Sequence, residues 1–394
     1  MGNKLGKNSV DLLSMNRSIV LNIIRKYENI SRIEISKKTG LKQSTITNIV
    51  NELIESRLVI ENGYVNSKVG RKAVKLSINT DTFFIISIRF TRHHILYGVF
   101  DLKINPIYVD KYSINLDESP HKILEELVFK LQSMQQKYSE HVFLGIGIAV
   151  PGPFVRNIKN VIYLEEYSKW DNTDIADYLS AKLNLPVTIE HDANVGALCE
   201  WWLDSEFLDK GSLLYIAVGQ GIGSGFIVDG QIIRGSMGTF GEIGHSCIDI
   251  DGPKCKCGNY GCLELYSSTF SLLKNFVKAK ESGKYKTEIK DNPNIDEFFE
   301  GLLKKDALAL SIFNDTLRYL SVGIVNALNA YNPDMLVIGD EFSKAEELLI
   351  ELILPMIKPR IFPIIYENTK IKVSKFKMDS AFIGSAIYFI NNYL

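Results

Sequence analysis

Near residue 80 the spacing of apolar residues changes from helical to strand-like, so the chain joins two different architectures end to end. Before that point, apolar positions recur at helical spacing in three short blocks. Ile19, Ile23 and Ile24 mark the first. The second begins at Ser31, whose hydroxyl can cap the backbone while Glu34 reaches back from three residues on, and it stops at Gly40. The third follows Lys42 and sets Ile46, Ile49, Val50 and Leu53 on one stripe. Leu58 to Ile60 and Val74 to Ile78 then read as two strands around a polar loop, ENGYVNSKVGRK, that carries Gly63 and Gly70. Three helices followed by such a hairpin predict a winged helix-turn-helix over residues 1–80.

Charge divides at the same place. Residues 1–80 hold 14 Lys and Arg against 6 Asp and Glu, whereas the rest of the chain holds 31 against 40. A basic head on an acidic body suggests that the head meets a polyanion, because Lys and Arg supply most non-specific affinity for nucleic acid; a solvated basic tail gives the same balance. The third helix offers Gln43, Ser44, Thr45, Thr47, Asn48 and Asn51 on its polar face, and short amides and hydroxyls there can bond base edges in a major groove. Arg71 and Lys72 at the tip of the wing suit a narrow minor groove. Helix-turn-helix proteins of this kind bind paired half-sites as dimers, which makes double-stranded operator DNA and a second copy of the chain the expected partners.

From Thr82 onward, β-rich runs such as FFIISIRF, VFLGIGIAV and SLLYIAVG alternate with longer amphipathic stretches such as Pro120 to Tyr138. Alternation of this type predicts an α/β body over residues 81–394. The polar stretch 280–294 is the expected surface excursion. With 46% hydrophobic and 23% charged residues, disordered, collagen-like and rod-like chains are excluded. Apolar runs such as Phe83 to Ile88 fall far short of the roughly 20 residues a bilayer demands, and the first residues have no apolar signal core. A cytoplasmic protein with no membrane partner is expected.

Five cysteines fall at 199, 247, 255, 257 and 262, with His245 just upstream of the last three. His245, Cys255, Cys257 and Cys262 form a candidate zinc set. Three thiolates and an imidazole complete a tetrahedral shell with no open position, so one structural zinc per chain is expected and metal hydrolysis is not. Cys199 and Cys247 are expected to be ordinary buried thiols.

These ligands sit within Gly241-Glu242-Ile243-Gly244-His245 and CKCGNYGCLE, and here the chain resembles the ROK family, named for repressors, open reading frames and kinases. Four more segments follow the family's order: Gly145 to Phe154, Ile189 to Asn194 (IEHDAN), Val218 to Gly225 and Asn332 to Gly339. The resemblance implies an actin-like, ribonuclease H-like body of two α/β lobes with a sugar in the cleft. Carried over position by position, it implies sugar contacts from Asp192, Glu242, His245 and Glu264, with Gly152 near the ring and His191 where family kinases usually carry Asn. It further implies that His245 serves both zinc and a sugar hydroxyl. A winged helix-turn-helix ahead of the body marks the family's repressors, and the general likeness is greatest to its xylose repressors.

Two activities of the family compete. Asp192 stands where family kinases keep their general base, which favours a sugar kinase using ATP. Against that, the acidic, glycine-rich turn that meets the phosphates in those kinases reads Arg89-Phe90-Thr91-Arg92-His93 here, with the carboxylate and both glycines gone. The glycine run survives at Gly219, Gly221, Gly223 and Gly225, which tight β-turns explain as well as phosphate binding does. Gly339-Asp340-Glu341 adds acid near the place of a polyphosphate. The sequence therefore predicts a sugar-responsive transcriptional repressor without catalytic residues, leaving open that Arg89 and Arg92 bind an anion such as a sugar phosphate.

Overall fold

The computed structural model describes residues 9–64, 73–155, 161–162, 169–170, 173–203, 210–283, 286–376 and 379–394. The head holds α1 (Ser9–Lys26), α2 (Arg32–Thr39) and α3 (Gln43–Glu55), followed by the antiparallel pair β1 (Val59–Tyr64) and β2 (Val74–Ile78). Ser31 caps α2 as expected: Glu34 N donates to its hydroxyl at 3.3 Å and its own N donates to Glu34 Oε2 at 2.9 Å. Gly40 ends the helix at φ +71°, a left-handed conformation that glycine adopts without strain. Ile46, Ile49, Val50 and Leu53 are all buried beneath α3. Strand β1 continues to Tyr64 where the sequence suggested a loop after Ile60, because Glu61 and Tyr64 still pair with Leu76 and Val74 across an irregularity at Gly63.

The body contains the same sheet order twice. In the first lobe, β3 (Phe83–Phe90), β4 (His94–Asp101) and β5 (Pro106–Ser113) form an antiparallel meander. After α4 (Pro120–Lys137), β6 (Val142–Val150) pairs parallel with β3. The short pair β7 (Phe154–Val155) and β8 (Val161–Ile162) and helix α5 (Ile175–Leu183) precede β9 (Val187–His191), which pairs parallel with β6. Seven of the eight residues of β3 are buried, as a central strand covered on both faces requires, while the edge strand β5 is largely exposed and carries the charges of Asp110 and Lys111.

Helix α6 (Asp192–Leu203) crosses to the second lobe, where β10 (Ser212–Val218), β11 (Ile222–Val228) and β12 (Gln231–Ile232) repeat the meander. Helices α7 (Glu264–Ser267), α8 (Thr269–Glu281), α9 (Ile295–Leu303) and α10 (Ala307–Tyr331) follow. Strand β13 (Met335–Gly339) then pairs parallel with β10. Helices α11 (Glu346–Ile357) and α12 (Pro363–Asn368) lead to β14 (Lys370–Val373), parallel to β13, and α13 (Ser380–Tyr393) returns to the first lobe. Two lobes with this duplicated order make the actin-like arrangement that the family resemblance implied.

Helix α10 is long and apolar enough by composition to cross a membrane, yet 61% of that window is buried inside the molecule, as in a core helix. The stretch 280–294 is only partly an excursion: Ile289 is buried, and Lys280 reaches Asp291 at 2.8 Å.

Candidate functional site

The segment before α7 gives the site its frame. Gly241 sits at φ +88°, and a Cβ there would stand 2.8 Å from Ser224 O; one at Gly244 would stand 2.1 Å from Ile222 O. Both glycines therefore let the strip 241–245 lie directly on β11, which directs Glu242 and His245 to the mouth of that sheet. Glu264 opens α7, and its Oε2 accepts from Ile222 N at 2.9 Å.

From the first lobe, β6 delivers Gly152, and β9 ends in His191 beside Asp192. A Cβ at Gly152 would stand 2.2 Å from His191 Nε2, so the ring fills the space that this glycine leaves. His191 Nε2 lies 3.2 Å from Asp192 Oδ1. Burial opposes charge on both, and their mutual hydrogen bond and attraction overcome it: the imidazole is raised above its ordinary value and the carboxyl held below its own. Glu242 sits close to His191, Asp192, His245 and Glu264, and burial pushes its carboxyl up. Its Oε1 is buried without a hydrogen-bond partner. A buried acceptor with nothing to accept from is the feature a sugar hydroxyl satisfies.

The four metal-candidate side chains converge. Their ligand atoms all lie within 4.8 Å of one another, with Cys257 Sγ 3.6 Å from Cys262 Sγ and His245 Nδ1 3.7 Å from Cys255 Sγ. A tetrahedron with zinc–sulfur bonds of about 2.3 Å has edges of about 3.8 Å, so the residues present fit that ion. With Nδ1 on the sulfur side, Nε2 remains at the opposite edge of the ring. Cys199 is buried as expected, but Cys247, in the loop between the turn of His245 and the three cluster cysteines, is exposed and stands outside the cluster.

Arg89 occupies the place of the missing kinase carboxylate, and it is enclosed by acids. Its Nη2 stands 3.4 Å from Asp192 Oδ2 and 3.2 Å from Asp340 Oδ2, and its Nη1 contacts Asp379 Oδ2. The three carboxylates outnumber the one guanidinium, so the surroundings of Arg89 are acidic. Arg92 Nη1 reaches Gln220 O at 3.5 Å. Asp340 also lies against the glycine run: a Cβ at Gly219 would stand 2.8 Å from its Oδ2. Gly223 and Gly225 face α6, where a Cβ would stand 3.1 Å from Ala193 Cβ and 2.3 Å from Ala193 O, so helix packing accounts for both. Sequence reasoning missed Asp379 and the pair of half-buried Arg234 Nε with buried Glu190 Oε2 at 2.8 Å. Asp379 carried one local signal, its position as the N-cap of α13, with Phe382 N donating to Oδ1 at 3.0 Å.

On α3, Gln43, Ser44, Thr47, Asn48 and Asn51 are exposed and Thr45 is half-buried. Thr47 Oγ1 donates back to Gln43 O at 2.8 Å, and Asn51 Oδ1 accepts from Arg32 Nη2 at 3.3 Å. Arg71 and Lys72 lie outside the described residues.

Residues 85–392 match the sequence pattern of the ROK family. The chain belongs to the ROK family. A xylose repressor of Caldicellulosiruptor bescii is 32% identical over 390 residues, covering 97% of each chain. Among solved structures, a ROK family transcriptional regulator, a homologue of the Escherichia coli MLC protein, superposes with a TM-score of 0.80 at 26% identity, covering 97% of this chain and 96% of that one. A ROK family glucokinase from Streptomyces griseus, solved with glucose and AMPPNP, shares the fold at a TM-score of 0.68 and 20% identity, covering 77% of this chain and 98% of its own. The ROK chain described here therefore has full-length relatives among repressors and fold relatives among kinases.

Proposed function

We propose that this ROK protein is a sugar-responsive transcriptional repressor: residues 1–80 bind operator DNA, and residues 81–394 bind a free sugar and pair two copies of the chain. The observation that carries the reading is the Arg89 cluster. In a kinase the cleft must admit a polyphosphate with its metal, and Asp192 must be free to take a proton from the sugar hydroxyl. Here Asp192 is held by Arg89 and His191, and Asp340 sets a carboxylate against Gly219, where a phosphate would meet like charge. The protein has no catalytic residues in this reading. The full-length likeness to a xylose repressor supports the same conclusion and favours a pentose such as xylose, or glucose, as effector.

In the cleft, Glu242 accepts from a sugar hydroxyl, Asp192, Glu264 and His191 bond others, and Gly152 stands near the sugar ring, letting His191 pack close. His245, Cys255, Cys257 and Cys262 would hold one structural zinc, which supplies charge and a rigid knot but no reaction. With Nδ1 on that side, His245 Nε2 bonds the sugar, and the metal fixes the tautomer. In the head, Gln43, Ser44, Thr45, Thr47, Asn48 and Asn51 face the major groove, and Arg71 and Lys72 the minor groove. Sugar binding then releases the operator.

The test is duplex binding by fluorescence anisotropy, using DNA recovered from a random-sequence pool by repeated selection on the protein. The reading requires a steep loss of affinity with salt, weaker binding by Arg71→Ala, and release by xylose or glucose. Sugar-dependent consumption of ATP that Asp192→Asn abolishes would replace it with a kinase.

A further inference from the structure

Helices α6 and α13 run side by side between the lobes, each belonging to a different one. Helix α6 packs on the second-lobe sheet, through the contact of Gly225 with Ala193 already described. Helix α13 packs on the first-lobe sheet, where a Cβ at Gly147 of β6 would stand 2.0 Å from Ser385 O. The two touch each other near their starts, since a Cβ at Gly384 would stand 1.9 Å from Val195 O. Both begin at the Arg89 cluster, α6 with Asp192 and α13 with its cap Asp379.

Their far ends both reach α1 of the head. The Arg25 guanidinium lies 3.7 Å from the centre of the Trp202 ring, in the last turn of α6. Arg17 Nη1 donates to Leu394 O, just past α13. Eight residues separate the two arginines, about 12 Å along the helix. Between them Val20, Leu21 and Ile24 are buried in the same continuous apolar core as Trp201, Ile387 and Ile390, so apolar packing runs from α1 to this pair. Arg17 Nε also lies 2.9 Å from Glu52 Oε1 on α3, which joins the same side chain to the helix that faces DNA.

We propose that α1 is the transmitting element between cleft and DNA: Arg25 follows α6 and the second lobe, Arg17 follows α13 and the first. Hinge or shear closure between lobes moves one helix past the other. The two attachment points on α1 then shift unequally, α1 turns, and α3 turns with it through Glu52. Two heads of a dimer so turned no longer match two half-sites. The proposal rests on the repressor reading above, and it assigns Arg17, Arg25 and Trp202 as positioning residues outside both binding surfaces.

The experiment measures the factor by which the bound free sugar, D-xylose or D-glucose, changes affinity for the selected duplex. It compares the unsubstituted chain with Arg25→Met, Arg17→Met and Glu28→Gln. Glu28 contacts Lys103 in the β4–β5 turn at 2.8 Å, a head-to-body contact that bypasses α6 and α13. In the unsubstituted chain and in Glu28→Gln the sugar should change duplex affinity by about tenfold or more, a usual size for coupled sites. In the two arginine variants the sugar should bind with unchanged affinity and change duplex binding less than about threefold. Full coupling in both arginine variants overturns the relay and leaves the repressor reading intact; no coupling in the unsubstituted chain overturns both. Should a variant fail to fold, amide exchange of the unsubstituted chain decides. Sugar must alter exchange across residues 17–25, and an unaltered α1 beside an altered cleft overturns the relay.

Discussion

Arg89 on β3 faces Asp192 at the start of α6, its Nη2 3.4 Å from Oδ2. This contact, with those to Asp340 and Asp379, makes an internal ion cluster that joins both lobes. Arg89→Ala would leave three partly buried carboxylates facing one another. It should lower the stability of the chain by about 3 kcal/mol or more in urea unfolding, the usual consequence of removing one partner of a buried pair. Arg89→Lys should recover only part of that, because an ammonium is a single point where the guanidinium offers Nη1 and Nη2 separately. A neutral outcome for Arg89→Ala would mean that the cluster is not a structural joint.

Much of the architecture was legible in the sequence, because its signals are local. The stripe at Ile46, Ile49, Val50 and Leu53, the box of Ser31 and Glu34, and the spacing of His245 with Cys255, Cys257 and Cys262 each lie within 17 residues of chain. Arg89 shows the limit. Its loss of the kinase pattern was visible, but its partners lie 103 and 251 residues away at Asp192 and Asp340, a pairing no local period encodes. Cys247 failed for another reason: a small apolar residue defaults to burial, and here it sits on an exposed loop outside the four-residue cluster. The contact of α1 with Trp202 and Leu394 left no trace in sequence, since an arginine on a basic head reads as a DNA contact.

Glu242 is half-buried and desolvated, and its Oε1 has no hydrogen-bond partner. Glu242→Gln removes a carboxylate that burial disfavours, so the melting temperature without sugar should hold or rise. Sugar affinity should fall by about 1.5–3 kcal/mol, roughly 10- to 150-fold, as for loss of a hydrogen bond to a charged group. Calorimetry and thermal melting on the same preparation separate the two effects. Unchanged sugar affinity would remove Glu242 from the site.

The His191–Asp192 pair sets a pH window. The imidazole is raised above its ordinary 6.5, so its contribution to stability is complete below that value and is lost as pH climbs through the raised one. The carboxyl is held below its ordinary 3.8, so its contribution is complete above that value and is lost as pH drops through the lowered one. Between 3.8 and 6.5 both are present. The difference in melting temperature between the unsubstituted chain and His191→Gln should be flat there and shrink on either side. A difference that grows above pH 6.5 would contradict the pairing.

Removing metal with a chelator should loosen the segment 241–264 and weaken sugar binding, because the ring of His245 would lose its orientation. Cys262→Ser should reproduce both effects, whereas Cys247→Ser, outside the cluster and exposed, should reproduce neither. Amide exchange and metal analysis check the first claim and calorimetry the second. Unchanged sugar affinity with the metal verifiably gone would show that His245 does not serve both.

The central claim is that the cleft reads a free sugar and not a nucleotide. Calorimetric titration of the full chain with xylose, glucose, N-acetylglucosamine, their available 6-phosphates, and ATP with magnesium tests it directly. The account predicts heat from at least one uncharged sugar and none from ATP or the phosphates, because Asp192, Asp340 and Asp379 surround the Arg89 guanidinium. Saturable binding of ATP with magnesium would contradict it and return the protein to the kinases.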